Sequence, residues 1–203
     1  MAERARRPGT RATSPGRLTE RHARIAVAGA SGAGKTTLAA RLARAHGLER
    51  VELDSLYYGP GWTRRDDLAQ VAEAALSGPR WVTEWQYDEV IPLLTERADL
   101  VIWLDYPCHV TATSVVLRSW LRRIHHEVLW AGNREGGMLS VLWNPHHALR
   151  YAVTSGGRRL RDSLAPVLTP GRAGPQIWRF RTPAQLSDWV RDALEPAGAE
   201  APR

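Results

Sequence analysis

At 203 residues the chain is long enough for one well-packed domain with an inserted flap and short for two. Its net charge of +7 is gathered at the N-terminus, where seven arginines (4, 6, 7, 11, 17, 21 and 24) face only Glu3 and Glu20 and so carry five of those charges; the rest is too nearly neutral for a nucleic-acid surface. A single cysteine, Cys108, permits no internal disulfide, and neither an apolar leader nor a run of ~18 apolar residues occurs, so the expectation is a cytoplasmic protein that neither spans nor is exported across a membrane.

Residues 1–22 are rich in Arg, Pro, Gly, Ser and Thr and nearly free of apolar side chains, a composition that predicts a disordered basic arm. Arg24 to Ala28 reads as a short buried strand. It runs into Gly29-Ala30-Ser31-Gly32-Ala33-Gly34-Lys35-Thr36-Thr37, which satisfies the pattern G-x-x-x-x-G-K-[ST] without a mismatch and leads into an Ala/Leu helix from Thr37 to His46. Strand, Gly-rich loop and helix stand in the order that a phosphate-binding loop requires. Its glycines let successive N–H groups turn toward phosphate oxygens, and the helix N-terminus adds partial positive charge to the same place. Lys35 is the only lysine in a chain with 28 Lys and Arg residues, and its compact ammonium suits the β and γ phosphates of ATP. Thr36 is the expected Mg²⁺ ligand. ATP and Mg²⁺ are therefore the expected cofactors.

Gly47 stops the helix, and Arg50 to Leu53 reads as a second strand ending in Asp54-Ser55. The aromatic and basic stretch that follows, with Tyr57, Tyr58, Trp62, Arg64 and Arg65, predicts a flap over residues 55–67. A helix is expected over 66–77, with Leu68, Val71, Ala75 and Leu76 on one face, and Trp81-Val82-Thr83 forms a third strand ending at Glu84. A short helix around 88–97 precedes the apolar run Leu100 to Leu104, a central parallel strand closed by Asp105 and Pro107. A helix over 110–123 carries Arg118, Arg122 and Arg123 near its end. The segment 124–174, with its histidine pairs, Gly pairs and arginines, among them Arg134, predicts a helical lid. Gln176 to Arg181 is the last strand, Pro183 to Leu194 the last helix, and 196–203 a flexible tail. Strands alternating with helices predict an α/β domain over 23–195 with a parallel sheet.

Several side chains are candidates for chemistry. Asp54 at a sheet's C-terminal edge serves either as the base that accepts a hydroxyl proton or as an N-cap for the loop behind it. Glu84 and Asp105 compete for the carboxylate that holds Mg²⁺ through water. Arg118, Arg122 and Arg123 are placed to bring positive charge to a γ-phosphate, and Arg64 or Arg65 to clamp an acceptor phosphate. The adjacent-histidine pairs 125/126 and 146/147 lack the i, i+4 spacing of a helical zinc site.

With the P-loop, an acid after the second strand and an acid-aromatic segment after the third, the chain resembles the adenylate-kinase-like P-loop kinases. Within them it is most similar to the small bacterial group known as topology modulation proteins or adenylate-kinase-related ATPases. The resemblance implies a five-stranded parallel sheet in the order 2-3-1-4-5, an acceptor-binding flap after strand two and an Arg-bearing lid after strand four. It also implies that strand three lies beside the P-loop strand, which favours Glu84 over Asp105. Where the family shows Asp-Gly after strand three this chain has Glu84-Trp85, a bulkier pair. The acidic, aromatic wall from Glu84 through Tyr87 to Asp88 suits a hydroxyl-bearing small molecule better than an already anionic one. The expected function is a small-molecule kinase; the alternative is a nucleotide-dependent regulator or partner-binding ATPase with slow hydrolysis.

Overall fold

The computed structural model describes residues 14–59, 63–111, 156–169 and 174–194. Its strands are β1 (Arg24–Gly29), β2 (Glu49–Val51), β3 (Trp81–Glu84), β4 (Leu100–Leu104) and β5 (Gln176–Phe180), all parallel, in the order β2-β3-β1-β4-β5. This is the sheet of the P-loop NTPases in the expected order. β1, β3, β4 and β5 are covered on both faces and read as largely apolar runs rather than as alternating ones, whereas the edge strand β2, Glu49-Arg50-Val51, buries only Val51.

Period-two alternation divides those runs between two cores. One face carries Ala26, Ala28, Trp81, Val101, Trp103 and Ile177. It packs under α3 (Leu68–Ala75), α4 (Ile91–Arg97) and α5 (Gly156–Leu168), which contribute Leu68, Ala72, Leu94, Leu164 and Val167. The other carries Ile25, Val27, Ile102, Leu104, Trp178 and Phe180 under α1 (Lys35–His46), with Leu38, Ala39 and Leu42, and under α6 (Pro183–Leu194), with Leu186, Trp189 and Val190. Small residues at positions 26 and 28 let two tryptophans crowd one side of the central strand. Among the described residues no helix is long and apolar enough to cross a membrane.

Three expectations are corrected. The second strand stops at Val51, and Leu53–Tyr57 is a short helix, α2, with Leu53 buried beneath it. The cause is local: the backbone N–H of Ser55 and its hydroxyl both donate to the Glu52 carbonyl, at 3.0 and 2.6 Å, and close a helical turn where an extended strand was expected. Asp54 therefore lies in the first turn of α2 and caps nothing; Glu52 holds the N-cap position. Second, part of the expected lid is core: Leu164 on α5 is fully buried and Ser163 accepts a hydrogen bond from the Trp85 indole at 3.1 Å. Residues 112–155, which hold Arg118, Arg122 and Arg123 of the expected helix and most of the expected lid with Arg134, lie outside the described residues, as do residues 170–173, Pro60 to Trp62 of the flap and the tail.

Third, residues 14–22 of the expected disordered arm touch the domain at a few points, although most of them are exposed. Leu18 lies against the second core, the Trp189 indole donates to the Gly16 carbonyl at 2.8 Å, and His22 meets the edge of Trp178 with ring centroids 5.0 Å apart. Glu20 pairs with Arg80. Composition predicted a chain with nothing to bury, yet one leucine, one imidazole and a main-chain carbonyl find partners in the second core and in Trp178 and Trp189.

Candidate active site

The P-loop leaves β1 at Gly29, where the chain runs so close to β4 that a Cβ would stand 3.1 Å from those of Ala33 and Leu104. It re-enters helix at Gly34, whose φ of 91° is the left-handed conformation that glycine adopts without strain. No side chain caps α1 and no acid occupies its first turn, so its leading N–H groups face outward as a ready anion site.

The register then delivers β3 to the same place. Val27 pairs with Glu84, and the Trp85 N–H donates to the Val27 carbonyl at 2.8 Å. Glu84 is thereby held against the start of α1: the Thr36 hydroxyl donates to its Oε1 at 2.7 Å, and Lys35 Nζ lies 3.8 Å from Oε2 and 3.4 Å from the Ala30 carbonyl. Lys35, expected at the phosphates, and Thr36 and Glu84, both expected at Mg²⁺, meet within one cluster. Mg²⁺ fits the donor set, since a hydroxyl and a carboxylate are hard oxygen ligands. Among the described residues no group of three or more His, Cys, Asp or Glu could close a cage around an ion. A magnesium ion here would thus rely on Thr36, Glu84, waters and the oxygens of a bound phosphate, which is its habit in nucleotide sites.

Asp105 has a different setting. Arg179 holds its Oδ2 through Nε at 2.9 Å and through Nη2, and Arg161 of α5 reaches Oδ1 at 3.4 Å. Arg179 in turn lies over the Trp103 ring, 4.5 Å from its centroid. The carboxylate is committed to a structural ion pair across the β4–β5 end of the sheet.

On the opposite flank, beyond β2, Asp54 is the hub of a second cluster. Its Oδ1 accepts from Gln86 Nε2 at 2.8 Å and from the Tyr87 hydroxyl. The Tyr87 ring stacks on Tyr57 with centroids 4.2 Å apart. Burial, then the nearby Asp54 carboxylate, raises the Tyr87 phenol far above its ordinary range, so it stays protonated as a donor. Arg64 and Arg65 are not open cations: Arg64 pairs with Glu89 and lies over the Tyr57 ring, and Arg65 pairs with Asp67 at 2.8 Å. The expected substrate-binding residues are therefore split, Glu84 facing the P-loop while Tyr87 meets Asp54 and stacks on Tyr57. Sequence reasoning missed Gln86, Glu89, Arg161 and Arg179. Only the short spacing of Gln86 from Glu84 marked any of them, because each acts through a partner at least 25 positions away.

The family model described as an AAA domain matches residues 25–129, from β1 past the end of β4. No curated protein matches. Among solved structures, an unliganded sugar kinase from Janibacter sp. HTCC2649 shares 21% identity at a TM-score of 0.42, over 88% of this chain and 98% of its own. A gluconokinase from Sinorhizobium meliloti 1021 shares 18% at 0.42, over 85% and 90%. A shikimate kinase from Acinetobacter baumannii, in complex with shikimate, shares 18% at 0.38, over 71% and 91%.

Proposed function

The chain belongs to the AAA domain family, and from that premise we propose that it is an ATP-dependent kinase that phosphorylates a hydroxyl group of a small molecule. Within the family we assign it to the adenylate-kinase-like kinases, near the topology modulation group, on the acid after β2 and the segment Glu84 to Tyr87 after β3. The observation that carries the proposal is the pairing of two clusters along one sheet edge: Lys35, Thr36 and Glu84 at the mouth of β1 and β3, and Asp54 with Gln86 and Tyr87 beside β2. The first is built to hold a triphosphate. The second presents an acceptor-only carboxylate where a co-substrate of an open α/β sheet lies.

In this reading the backbone from Gly29 to Thr37 (Gly29, Ala30, Ser31, Gly32, Ala33, Gly34, Lys35, Thr36, Thr37) cradles the phosphates, and Lys35 leaves the Ala30 carbonyl to neutralise the β and γ groups. Mg²⁺, when bound, offsets phosphate charge and orients the γ group; Thr36 and Glu84 hold it. Asp54 takes the proton of the acceptor hydroxyl as that oxygen forms its bond to phosphorus, while the bond from phosphorus to the departing ADP oxygen breaks. Arg118, Arg122 and Arg123 carry the role of stabilising charge on the transferring group. The acceptor is assigned as neutral because the cations flanking Asp54 in the sequence are already matched, Arg50 by Glu52, Arg64 by Glu89 and Arg65 by Asp67.

The experiment is ADP formation by the full chain with Mg²⁺ and ATP, alone and with a panel of polyols, sugar acids, nucleosides and nucleoside monophosphates. A kinase gives acceptor-dependent ADP. A low rate that no acceptor raises would identify a nucleotide-dependent switch instead, and efficient phosphorylation of AMP, CMP or UMP that survives Asp54→Asn would overturn both the base and the acceptor class. Lys35→Ala is expected to weaken ATP binding or abolish turnover.

A further inference from the structure

We infer that Gln86 and Tyr87 are positioning residues that hold the Asp54 carboxylate in the orientation from which it receives the acceptor's proton, an inference that rests on the kinase reading above.

Three features converge on this. The first is the hydrogen bonding of Asp54. Both donors, Gln86 Nε2 and the Tyr87 hydroxyl, fall on Oδ1. Two bonds to one oxygen, arriving from successive residues of one loop, fix the carboxylate plane. They leave Oδ2 without a hydrogen bond among the described residues, as the oxygen available to a substrate. An ionised carboxylate can only accept, so Gln86 must present its amide nitrogen to it.

The second is the backbone. Tyr87 has φ of 66° and is the only described non-glycine residue in the left-handed region. Residues with a Cβ adopt this conformation rarely, and where they are held in it the surroundings over-determine it. Here they do: the Tyr87 carbonyl accepts from the N–H groups of Val90 and Ile91 at 2.9 and 3.1 Å and launches α4, while the side chain is fastened at both ring and hydroxyl. A turn alone could be made by glycine without strain. This one delivers a phenol to Asp54.

The third is that Tyr87 grips α2 at two points. Its hydroxyl meets Asp54 and its ring stacks on Tyr57, with ring planes 24° apart. Residues 54 and 57 are three apart and share a face of α2. The short helix is thus clamped to the loop after β3 through the residue expected to act as base and through its neighbour. Buried Thr83 extends the same tie one residue before Glu84, its hydroxyl donating to the Val51 carbonyl at 2.8 Å. General-base transfer depends on the lone pair facing the proton, and small misplacements are costly, so the clamp acts on rate rather than on nucleotide binding.

The test compares wild type, Tyr87→Phe, which keeps the ring, the stack and the turn, Gln86→Leu, Asp54→Asn, and the double variant Asp54→Asn/Tyr87→Phe. Turnover is measured with Mg²⁺ and ATP, with water as acceptor and with the best acceptor from the panel. Crystal structures of wild type and the two positioning variants with Mg²⁺ and ADP are determined in parallel. Tyr87→Phe and Gln86→Leu are each expected to lower kcat by about tenfold with KM for ATP unchanged, to leave the Asp54 carboxylate rotated, and Tyr87→Phe to add no loss on top of Asp54→Asn. Wild-type kcat in Tyr87→Phe, a further drop in the double variant, or an unmoved Asp54 in both positioning variants overturns the inference and leaves the kinase reading standing. Wild-type turnover in Asp54→Asn removes the base itself, and this inference with it.

Discussion

Thr36 donates its hydroxyl hydrogen to Glu84 at 2.7 Å, joining the first turn of α1 to the end of β3, whereas Asp105 one strand away on the other side is gripped by Arg179 and Arg161. The two acids therefore separate by experiment. Glu84→Gln is expected to reduce Mg²⁺-dependent turnover strongly with little change in melting temperature. Asp105→Asn should weaken its partly buried ion pair and cost about 1–2 kcal/mol of stability while sparing Mg²⁺ dependence. Magnesium titrations of turnover and denaturant melts on both variants check this; the reverse ranking in turnover would hand the metal to Asp105.

Residues 14–22 yield a prediction opposite to what their composition suggests. A chain beginning at residue 23 loses the Gly16 carbonyl bound by Trp189, the Leu18 contact and the imidazole on Trp178. Relative to a chain beginning at residue 14, it should be less stable by roughly 1–3 kcal/mol. ATP affinity should be equal in the two, because this segment meets the sheet at the opening residues of β1 and β5, while the P-loop leaves β1 at its far end. Paired urea melts and calorimetry on the two truncations decide it.

Four of the five strands were legible because each is a compact, largely apolar run, and parallel strands buried on both faces advertise themselves that way; β2, Glu49–Val51, buries a single residue and was read too long. The Walker motif placed Lys35 and Thr36 for the same reason, since backbone, cation and hydroxyl all lie within nine residues. What could not be read were couplings across long separations. Gly16 meets Trp189 from 173 positions away and His22 meets Gln176 from 154, so no local pattern marks them. Nor does periodicity reveal that Ser55 folds back on Glu52 to end β2 early. Asp54 was found as an acid at a sheet edge, but its setting depends on which residue of the next loop turns left-handed, and Tyr87 is a type for which sequence statistics predict otherwise.

His46 provides a pH-dependent prediction. It sits in the last turn of α1, where the helix dipole favours a cation. Burial nevertheless holds its pKa below the ordinary 6.5, and Arg80, which donates to the His46 carbonyl at 2.8 Å, pushes the same way against the weaker pull of Glu20. A depressed folded-state pKa means that the unfolded chain binds the proton more readily. Its contribution to stability is fully present above 6.5 and is lost as pH falls from there through the lower folded value. Urea melts from pH 7.5 to 5 should show stability declining in that window, with a shallower decline in His46→Gln. Equal slopes in the two proteins would exclude His46 as the source.

Two glycines of the P-loop should fail for different reasons when changed to alanine. At Gly29 the obstacle is space: the new methyl would stand 3.1 Å from the Cβ atoms of Ala33 and Leu104 and 3.3 Å from the Leu104 carbonyl, and β4 cannot retreat because its other edge is paired with β5. Overpacking of this kind costs about 1–3 kcal/mol and displaces the loop, so Gly29→Ala should lose both stability and ATP affinity. At Gly34 nothing lies within 4 Å of the added carbon, and the obstacle is the backbone, held at φ of 91°. A Cβ there costs about 1–2 kcal/mol through its clash with its own main chain. The remedies differ accordingly. Ala33→Gly removes one of the carbons that Gly29→Ala strikes and should recover part of its stability, but it has nothing to offer Gly34→Ala. Asparagine tolerates the left-handed region better than alanine, so Gly34→Asn should melt above Gly34→Ala, whereas Gly29→Asn should melt below Gly29→Ala because the larger side chain meets the same wall. Thermal melts of the four single glycine variants, and of the two alanine variants combined with Ala33→Gly, separate the two mechanisms, and rescue of Gly34→Ala by Ala33→Gly would show that crowding, not backbone conformation, governs both positions.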